Sequence, residues 1–339
     1  MPEYICFVED LMTRRRSLFT CTLLLGLAAC TSSRHDPNEK YYLLTANPKV
    51  AYWQTAGEGL ASGARALGVL AEMAGPDTYD PRAEAQQFSS IIAKKPAGIL
   101  VSAADPDLLK DPINAAIAQG IPVVTIDSDS PASERLTFIG TNNYQAGLMG
   151  GRVLTDRLHD KGEVIFYTMP GQTNLDERLQ GYKNVLADHP HIKIAQIVDV
   201  KGDPRVAFDT TMDILTKGKL KPDAFVCLVS TACPEVADVL DRQKVAGKVV
   251  VAMDTDADTL QWIQKGQIAA TIAQKPFTMA YYGIKMLDNL HHYKLPTLVG
   301  NWAQDTFAPV PVFIDTGATL IDKGNIDAFQ KAQRSSSTK

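Results

Sequence analysis

The stretches PVVTIDSDS at residues 122–130 and VVVAMDTDA at residues 249–257 decide the fold. In each, an apolar run rich in β-branched residues ends in the sequence Asp-x-Asp. A continuous apolar run without alternation is typical of a parallel strand that is covered on both faces. Two such strands, about half a chain apart, predict two α/β units that each carry an acidic turn at the carboxyl end of a buried strand.

Short apolar runs alternate with longer segments of helical period from residue 40 onward. This alternation predicts parallel sheets built from βαβ units, and it restarts after residue 141. Strands are predicted at residues 41–46, 69–73, 97–103, 122–127, 163–169, 193–200, 223–229, 248–254 and 268–273. Open α/β sheets bind ligands beyond the carboxyl ends of their strands, where backbone donors are unpaired. The two acidic turns are therefore candidate ligand sites.

The composition limits the classes of protein to consider. A chain of 339 residues is long enough for about two domains. Its 45% hydrophobic and 21% charged residues predict folded cores rather than a disordered chain. The formal net charge of -4 argues against a nucleic-acid partner, because bulk electrostatic binding to phosphates needs a basic surface.

The amino-terminal segment is predicted to be an export signal. MTRRRSLFTCTLLLGLAAC at residues 12–30 joins a basic cluster to an apolar run that is too short to span a membrane. It ends in LAAC, which resembles a bacterial lipoprotein cleavage site, so Cys30 is expected to carry the lipid; an ordinary secretory signal is the alternative. We therefore expect a signal at residues 1–30, a tether at residues 31–40, and a lipid-anchored protein of the periplasm or cell envelope.

Two cysteines remain after the signal, Cys227 and Cys233. An oxidising compartment would allow them to form a disulfide. They are equally compatible with two small buried side chains. The sequence leaves both interpretations open.

Six stretches, in order along the chain, carry a resemblance to a known family. They are KVAYWQTAGEGLASGARALGV (49–69), IPVVTIDSD (121–129), FIGTNNYQAGLMGG (138–151), GQTNLDERLQGY (171–182), VAMDTDADTLQWIQKGQIAATIAQKP (251–276) and IDTGATLIDKGNIDAF (314–329). Together they resemble the periplasmic sugar-binding proteins of ABC importers, in the ribose-binding-like branch of the type I periplasmic binding proteins. The likeness covers nearly everything from residue 40 to residue 329.

This resemblance implies an α/β fold of two Rossmann-like lobes with parallel sheets, joined by a three-segment hinge. The amino-terminal lobe is expected at residues 41–141 and 275–308, and the carboxy-terminal lobe at residues 142–274 and 309–333. A monosaccharide would bind in the cleft between them and be delivered to an ABC permease. The protein would not be an enzyme and would need no cofactor.

The resemblance also assigns candidate ligand contacts. An aromatic face matches the C–H face of a sugar, and carboxylates, amides and a planar guanidinium suit its hydroxyl groups. The candidates are Lys49, Tyr52, Trp53, Ser102, Asp127, Asn174, Arg178, Asp254 and Gln274. The second aspartates, Asp129 and Asp256, are expected to cap helices or face solvent. VKGDPRV at residues 200–206 lacks an aromatic that relatives commonly have there, so a ribose specificity does not follow.

The same residues bear on other functions. Asp-x-Asp also occurs in metal-dependent sugar enzymes, but two turns in two separate lobes do not form one compact metal site, so no metal is expected. A repressor of related fold would need an amino-terminal helix-turn-helix where the export signal stands. Within the binding class, a nucleoside, an inositol or a furanosyl signal is the alternative ligand, and a membrane sensor is the alternative partner.

Overall fold

The computed structural model describes residues 35–218, 220–293 and 309–337. The predicted signal with Cys30, the tether up to residue 34, and residues 294–308 of the predicted first lobe lie outside the described residues. The chain divides into two compact units, Met1–Asn38 and Glu39–Lys339. Both sheets described here belong to the second unit.

The first sheet has six strands, all paired in parallel, in the order β11-β5-β4-β3-β1-β2. These strands are β1 (Lys40–Leu44), β2 (Leu70–Ala74), β3 (Gly98–Val101), β4 (Val123–Ile126), β5 (Phe138–Gly140) and β11 (Phe313–Asp315). The helices of this lobe are α1 (Ala51–Leu67), α2 (Pro81–Ile92), α3 (Pro106–Ala118) and α9 (Pro276–His292).

Successive residues of β1 enter different cores. Tyr41 and Leu43 pack in the cluster with α1 and α9, whereas Tyr42 and Leu44 pack in the cluster with α2 and α3. Because side chains of a strand alternate between the two faces of the sheet, this sheet is covered by helices on both sides. That arrangement explains why its strands read as unbroken apolar runs.

The second sheet also has six strands, in the order β12-β10-β9-β8-β6-β7. These strands are β6 (Gly162–Thr168), β7 (Ile192–Asp199), β8 (Ala224–Cys227), β9 (Val249–Met253), β10 (Ala270–Ala273) and β12 (Thr319–Asp322). Its helices are α4 (Asn143–Leu158), α5 (Thr173–Ala187), α6 (Pro204–Lys217), α7 (Cys233–Arg242), α8 (Ala257–Lys265) and α10 (Ile326–Ser337). Only the edge strand β12 is antiparallel among the described strands of this sheet.

Within the described residues, the chain crosses between the two lobes at three places: from β5 to β6, from β10 to α9, and from β11 to β12. The predicted fold class, two α/β lobes with largely parallel sheets, is therefore confirmed. One boundary was wrong, because residues 309–333 were assigned to the second lobe. Phe313–Asp315 instead pair in parallel with Phe138–Gly140 and form the edge of the first sheet. The third crossing thus follows residue 315.

Three helices begin with the same local device. Asp80, Asp105 and Asp203 each stand directly before a proline, and each side chain accepts a hydrogen bond from a backbone N–H of the first helical turn. Aspartate suits the N-cap and proline suits the first helical position, whose N–H has no partner within the helix. The caps fix where α2, α3 and α6 start, and with them the loops that precede these helices.

Within residues 35–218, 220–293 and 309–337, no helix is both long enough and apolar enough to cross a membrane.

Candidate functional site

The twin acidic turns use the same backbone conformation in both lobes. Asp127 follows β4 with φ 61°, and Asp254 follows β9 with φ 69°. Asp127 donates its N–H to the Ile139 carbonyl at 3.2 Å, and Asp254 donates its N–H to the Ile272 carbonyl at 2.9 Å. Aspartate is one of the few residues that tolerate the left-handed region. Each turn therefore ends its strand in the same way.

The two turns line one cavity that encloses about 670 Å³ of empty space, including its open mouth. Eight of the nine predicted site residues line it: Tyr52, Trp53, Ser102, Asp127, Asn174, Arg178, Asp254 and Gln274. Lys49 does not. Its ammonium group instead forms an exposed ion pair with Asp77 at 2.8 Å. The structure thus places Lys49 outside the cavity, whereas the sequence predicts it at the ligand.

The first lobe contributes a carboxylate held between two donors. The Tyr52 hydroxyl donates to Asp127 Oδ1 at 2.7 Å, and the Asn174 amide donates to Asp127 Oδ2 at 3.1 Å. Asn174 belongs to the second lobe, so this bond crosses the cleft. The Trp53 ring meets Tyr52 edge to face, with centroids 5.1 Å apart. Tyr52 is thus a hydrogen-bond donor to Asp127, and Trp53 supplies the larger aromatic surface of this wall.

The second lobe contributes a buried chain of hydrogen bonds centred on Arg178, which is 2% exposed. Its guanidinium donates to Asn143 Oδ1 at 2.9 Å, to the Leu228 carbonyl at 2.8 Å and to Gln274 Oε1 at 2.8 Å. Gln274 in turn donates its amide N–H to Asp254 Oδ1 at 3.0 Å. These bonds fix the planes of the guanidinium, the amide and the carboxylate, so the lobe offers a pre-organised polar surface.

Close packing of two helices sets the position of Arg178. A Cβ on Gly147 of α4 would lie 2.2 Å from the Arg178 carbonyl oxygen, and one on Gly181 of α5 would lie 2.4 Å from the Tyr144 carbonyl oxygen. Only glycine allows backbones to approach so closely. Gly147 and Gly181 therefore allow α4 and α5 to pack closely, and this packing sets the position of Arg178 near the second acidic turn.

Burial dominates the electrostatics of both carboxyl groups. It raises the pKa of Asp127, against the opposing effects of the Arg178 charge and of hydrogen bonds from Tyr52 and Ser102. It raises the pKa of Asp254 to about 7; Arg178 lowers this pKa, whereas the carboxylates of Asp256 and Asp127 raise it. The fixed positive charge of Arg178 beside both aspartates opposes a divalent cation at this place, while neutral hydroxyl groups meet no such repulsion.

The second aspartates behave differently from each other. Asp129 is buried and forms an ion pair with Arg135 at 2.6 Å, so the expectation that it caps a helix or faces solvent was wrong. Arg135 also donates to the Val312 carbonyl beside β11. The pair therefore connects the turn after β4 to the segment at β11. Asp256 stands at the N-cap position of α8, but its side chain makes no capping hydrogen bond.

Cys227 and Cys233 form a disulfide, which decides the question that the sequence left open. The bridge joins the end of β8 to the start of α7. The enclosed loop places Ser230 and Thr231 on the cavity wall and supplies the Leu228 carbonyl that Arg178 contacts. The disulfide therefore constrains a loop of the site.

Sequence reasoning missed Tyr79, which lines the cavity between β2 and α2. Its hydroxyl accepts a hydrogen bond from the Gln172 side chain at 2.9 Å. Its ring packs against Gly202, in the stretch VKGDPRV that lacks an aromatic of its own. The aromatic at this place thus comes from the opposite lobe. An Asp-Pro pair that caps a helix follows Tyr79 directly, and equivalent pairs follow Ala104 and Gly202. All three residues line the cavity, so the Asp-Pro pair is a sequence signal that points to Tyr79.

Comparison with curated proteins identifies relatives over most of the chain. Residues 41–294 match the family model of a periplasmic binding protein domain. The D-allose-binding periplasmic protein of Escherichia coli K12 is 25% identical over 276 residues, covering 78% of this chain and 88% of that protein. The ribose import binding protein RbsB of Haemophilus influenzae is 23% identical over 283 residues, covering 82% of this chain and 93% of that protein.

Solved structures agree with this assignment. A sugar-binding protein of a sugar ABC transporter from Bacillus halodurans superposes with a TM-score of 0.73 at 32% identity, covering 86% of this chain and 100% of that chain. An ABC transporter solute-binding protein from Burkholderia graminis, solved in complex with D-arabinose, has a TM-score of 0.77 at 26% identity, covering 86% of this chain and 98% of that chain. Because the family model spans well over half of the sequence, this chain belongs to the periplasmic binding protein family, in the type I group that includes the sugar-binding proteins of ABC importers.

Proposed function

We propose that this protein captures a monosaccharide in the cavity between its lobes and delivers it to an ABC permease. The observation that carries the proposal is the donor and acceptor set on the two walls. Asp127 and Asp254 offer acceptors, Arg178 offers donors, and the amides of Asn174 and Gln274 offer both. Adjacent sugar hydroxyls need this combination, and the Trp53 face suits the C–H face of the ring.

The relatives support the ligand class without fixing the sugar. Their names refer to allose, ribose, and xylose or arabinose, and the Burkholderia graminis structure holds D-arabinose. Micromolar affinity requires about -8 kcal/mol. Hydrogen bonds to charged groups contribute about 1.5–3 kcal/mol each, so a few of them with one stacked ring reach that figure after the entropy of association is subtracted.

The proposed setting follows from the family, which implies an extracytoplasmic location. Lipidation at Cys30 would hold the protein at the membrane, and the two lobes would close around the sugar and present the closed form to the permease. The cavity binds and releases its ligand without making or breaking a covalent bond. A nucleoside, an inositol or a furanosyl signal is the alternative ligand, and a membrane sensor the alternative partner.

A thermal-shift panel tests the ligand class. We would measure the unfolding temperature with D-allose, D-ribose, D-arabinose, D-xylose, myo-inositol and adenosine. A ligand at about 100 times its Kd stabilises the folded state by about 2.7 kcal/mol. We expect at least one sugar to give such a shift, Asp127→Asn to reduce it, and Lys49→Ala to retain it because Lys49 lies outside the cavity. A panel in which no sugar shifts the wild type would overturn the proposal.

A further inference from the structure

Tyr79 is fixed on the first lobe by the elements on either side of it. It stands between β2 and Asp80, whose carboxylate accepts hydrogen bonds from the backbone N–H groups of Arg82 and Ala83 at the start of α2. The Asp80 N–H also donates to the Ala46 carbonyl at 3.4 Å, which ties this loop to the loop after β1. The side chain is half-buried, and burial raises the pKa of its hydroxyl to about 12, so the hydroxyl keeps its proton at physiological pH.

The Tyr79 side chain contacts the second lobe at Gln172 and at Gly202. Its hydroxyl accepts from Gln172, the residue at the N-cap of α5. Its ring lies against the backbone of Gly202, which has φ 72°; a Cβ built on Gly202 would come within 2.4 Å of Tyr79 Cβ and 2.5 Å of its Cγ. The ring therefore occupies space that any other residue at position 202 would need.

The hydrogen bond to Tyr79 is one of three neighbouring hydrogen bonds that cross the cleft. Three consecutive residues at the start of α5 each donate to the first lobe: Gln172 to the Tyr79 hydroxyl, Thr173 to the Asp129 carbonyl at 3.0 Å, and Asn174 to the Asp127 carboxylate. Asn174 and Asp127 are the groups that a ligand would address. The Tyr79 contact needs no ligand atom, and it forms only where the two lobes approach each other.

We propose that Tyr79, with Gln172 and Gly202, forms a closing latch that stabilises the closed arrangement of the lobes and so raises ligand affinity. The inference rests on the proposed function for its effect on affinity but not for its effect on closure. Contacts made only in the closed form shift the equilibrium between open and closed forms. Because apparent affinity scales with the population of the binding-competent form, loss of the latch weakens binding without removing a ligand contact of the acidic turns.

Graded variants separate the hydrogen bond from the ring. Tyr79→Phe removes only the hydroxyl, and a neutral hydrogen bond of about 1 kcal/mol predicts roughly a 5-fold rise in Kd. Tyr79→Ala also removes the ring and should raise Kd by more than tenfold. Gly202→Ala places a methyl group against the ring and should weaken binding in the same way.

Gly218→Ala is the matched control for Gly202→Ala. Gly218 has φ 66°, so alanine there meets a similar backbone strain, but no atom of the residues that the structure describes lies within 4 Å of the added Cβ. The double variant Tyr79→Gly with Gly202→Ala completes the cycle, because glycine at position 79 removes both the Cβ and the Cγ that the added methyl group would meet. If the added Cβ acts through the Tyr79 side chain, Gly202→Ala should have little further effect in the Tyr79→Gly background.

The experiment combines small-angle X-ray scattering of the protein alone with titration by an equimolar mixture of D-allose, D-ribose, D-arabinose and D-xylose. We expect Tyr79→Ala and Gly202→Ala to have a larger radius of gyration than wild type and Gly218→Ala, and to need more sugar for half-saturation. Equal radii and equal half-saturation in all four proteins would overturn the latch. If the wild type binds none of the sugars, the proposed function fails. The radii of gyration of the ligand-free proteins then test the latch by themselves.

Discussion

The buried carboxyl of Asp254 makes a quantitative prediction about stability. Burial, the first cause, raises its pKa from 3.8 to about 7 in the folded protein. Each unit of pKa corresponds to 1.36 kcal/mol, and the difference of roughly 3 corresponds to about 4 kcal/mol. Because the folded pKa is raised, the folded state prefers the protonated acid, and the group stabilises the fold most fully below pH 3.8. This stabilisation is lost as pH rises through about 7.

Asp254→Asn removes this dependence while retaining the shape of the side chain. The asparagine oxygen still accepts the hydrogen bond that Gln274 donates to Asp254 Oδ1. The free energy of unfolding of the variant should therefore match that of wild type near pH 4 and exceed it by up to about 4 kcal/mol near pH 8, both without ligand. Burial and the neighbouring carboxylates of Asp256 and Asp127 are the physical origin of the difference.

Urea denaturation across this pH range measures the effect, with the m-value checked for each protein. Asp258→Asn is the matched control, since Asp258 is an exposed acid four residues further along in the first turn of α8. That control should leave the pH dependence of wild type intact. A difference between Asp254→Asn and wild type that stays constant from pH 4 to pH 8 would refute the reasoning.

Three further predictions concern the supports of the site. The lysine in Arg178→Lys cannot make the three hydrogen bonds of the guanidinium. This variant should bind sugar at least tenfold more weakly in calorimetric titration, and an unchanged affinity would show that Arg178 does not support binding. Gly147→Ala overpacks α4 against α5 and should lower the free energy of unfolding in urea by about 1–3 kcal/mol, and full stability would show that the helices separate easily. Replacing Cys227 and Cys233 by serine should lower the free energy of unfolding by about 2 kcal/mol, a value typical of so short a closed loop, and no loss would argue against the bridge.

Regular features of the fold and site could be predicted from the sequence because they rest on local patterns. The apolar runs before Asp127 and Asp254 predict buried parallel strands, and the structure ends both strands in the same left-handed turn. Residues on or next to such elements were placed correctly, and eight of the nine candidates line the cavity. The position of a residue at the end of a strand fixes its direction within narrow limits.

The failures involve residues whose position depends on distant partners. Lys49 has a long side chain beside Asp77, and sequence position does not determine where such a side chain points. Tyr79 lies in a loop without periodicity, and its partners Gln172 and Gly202 are far away in the sequence. The proline-interrupted stretch at residues 307–317 hides β11, because its pairing with β5 is visible only in the folded chain.

A crystal structure grown with the equimolar mixture of D-allose, D-ribose, D-arabinose and D-xylose tests the central claim most directly. We predict one sugar ring between the lobes, with hydroxyl groups within hydrogen-bond distance of Asp127 and Asp254 and with the guanidinium of Arg178 between these contacts. A sugar seated elsewhere on the protein, or a cavity closed by Tyr79 that holds no sugar while the protein binds one in solution, would contradict the account.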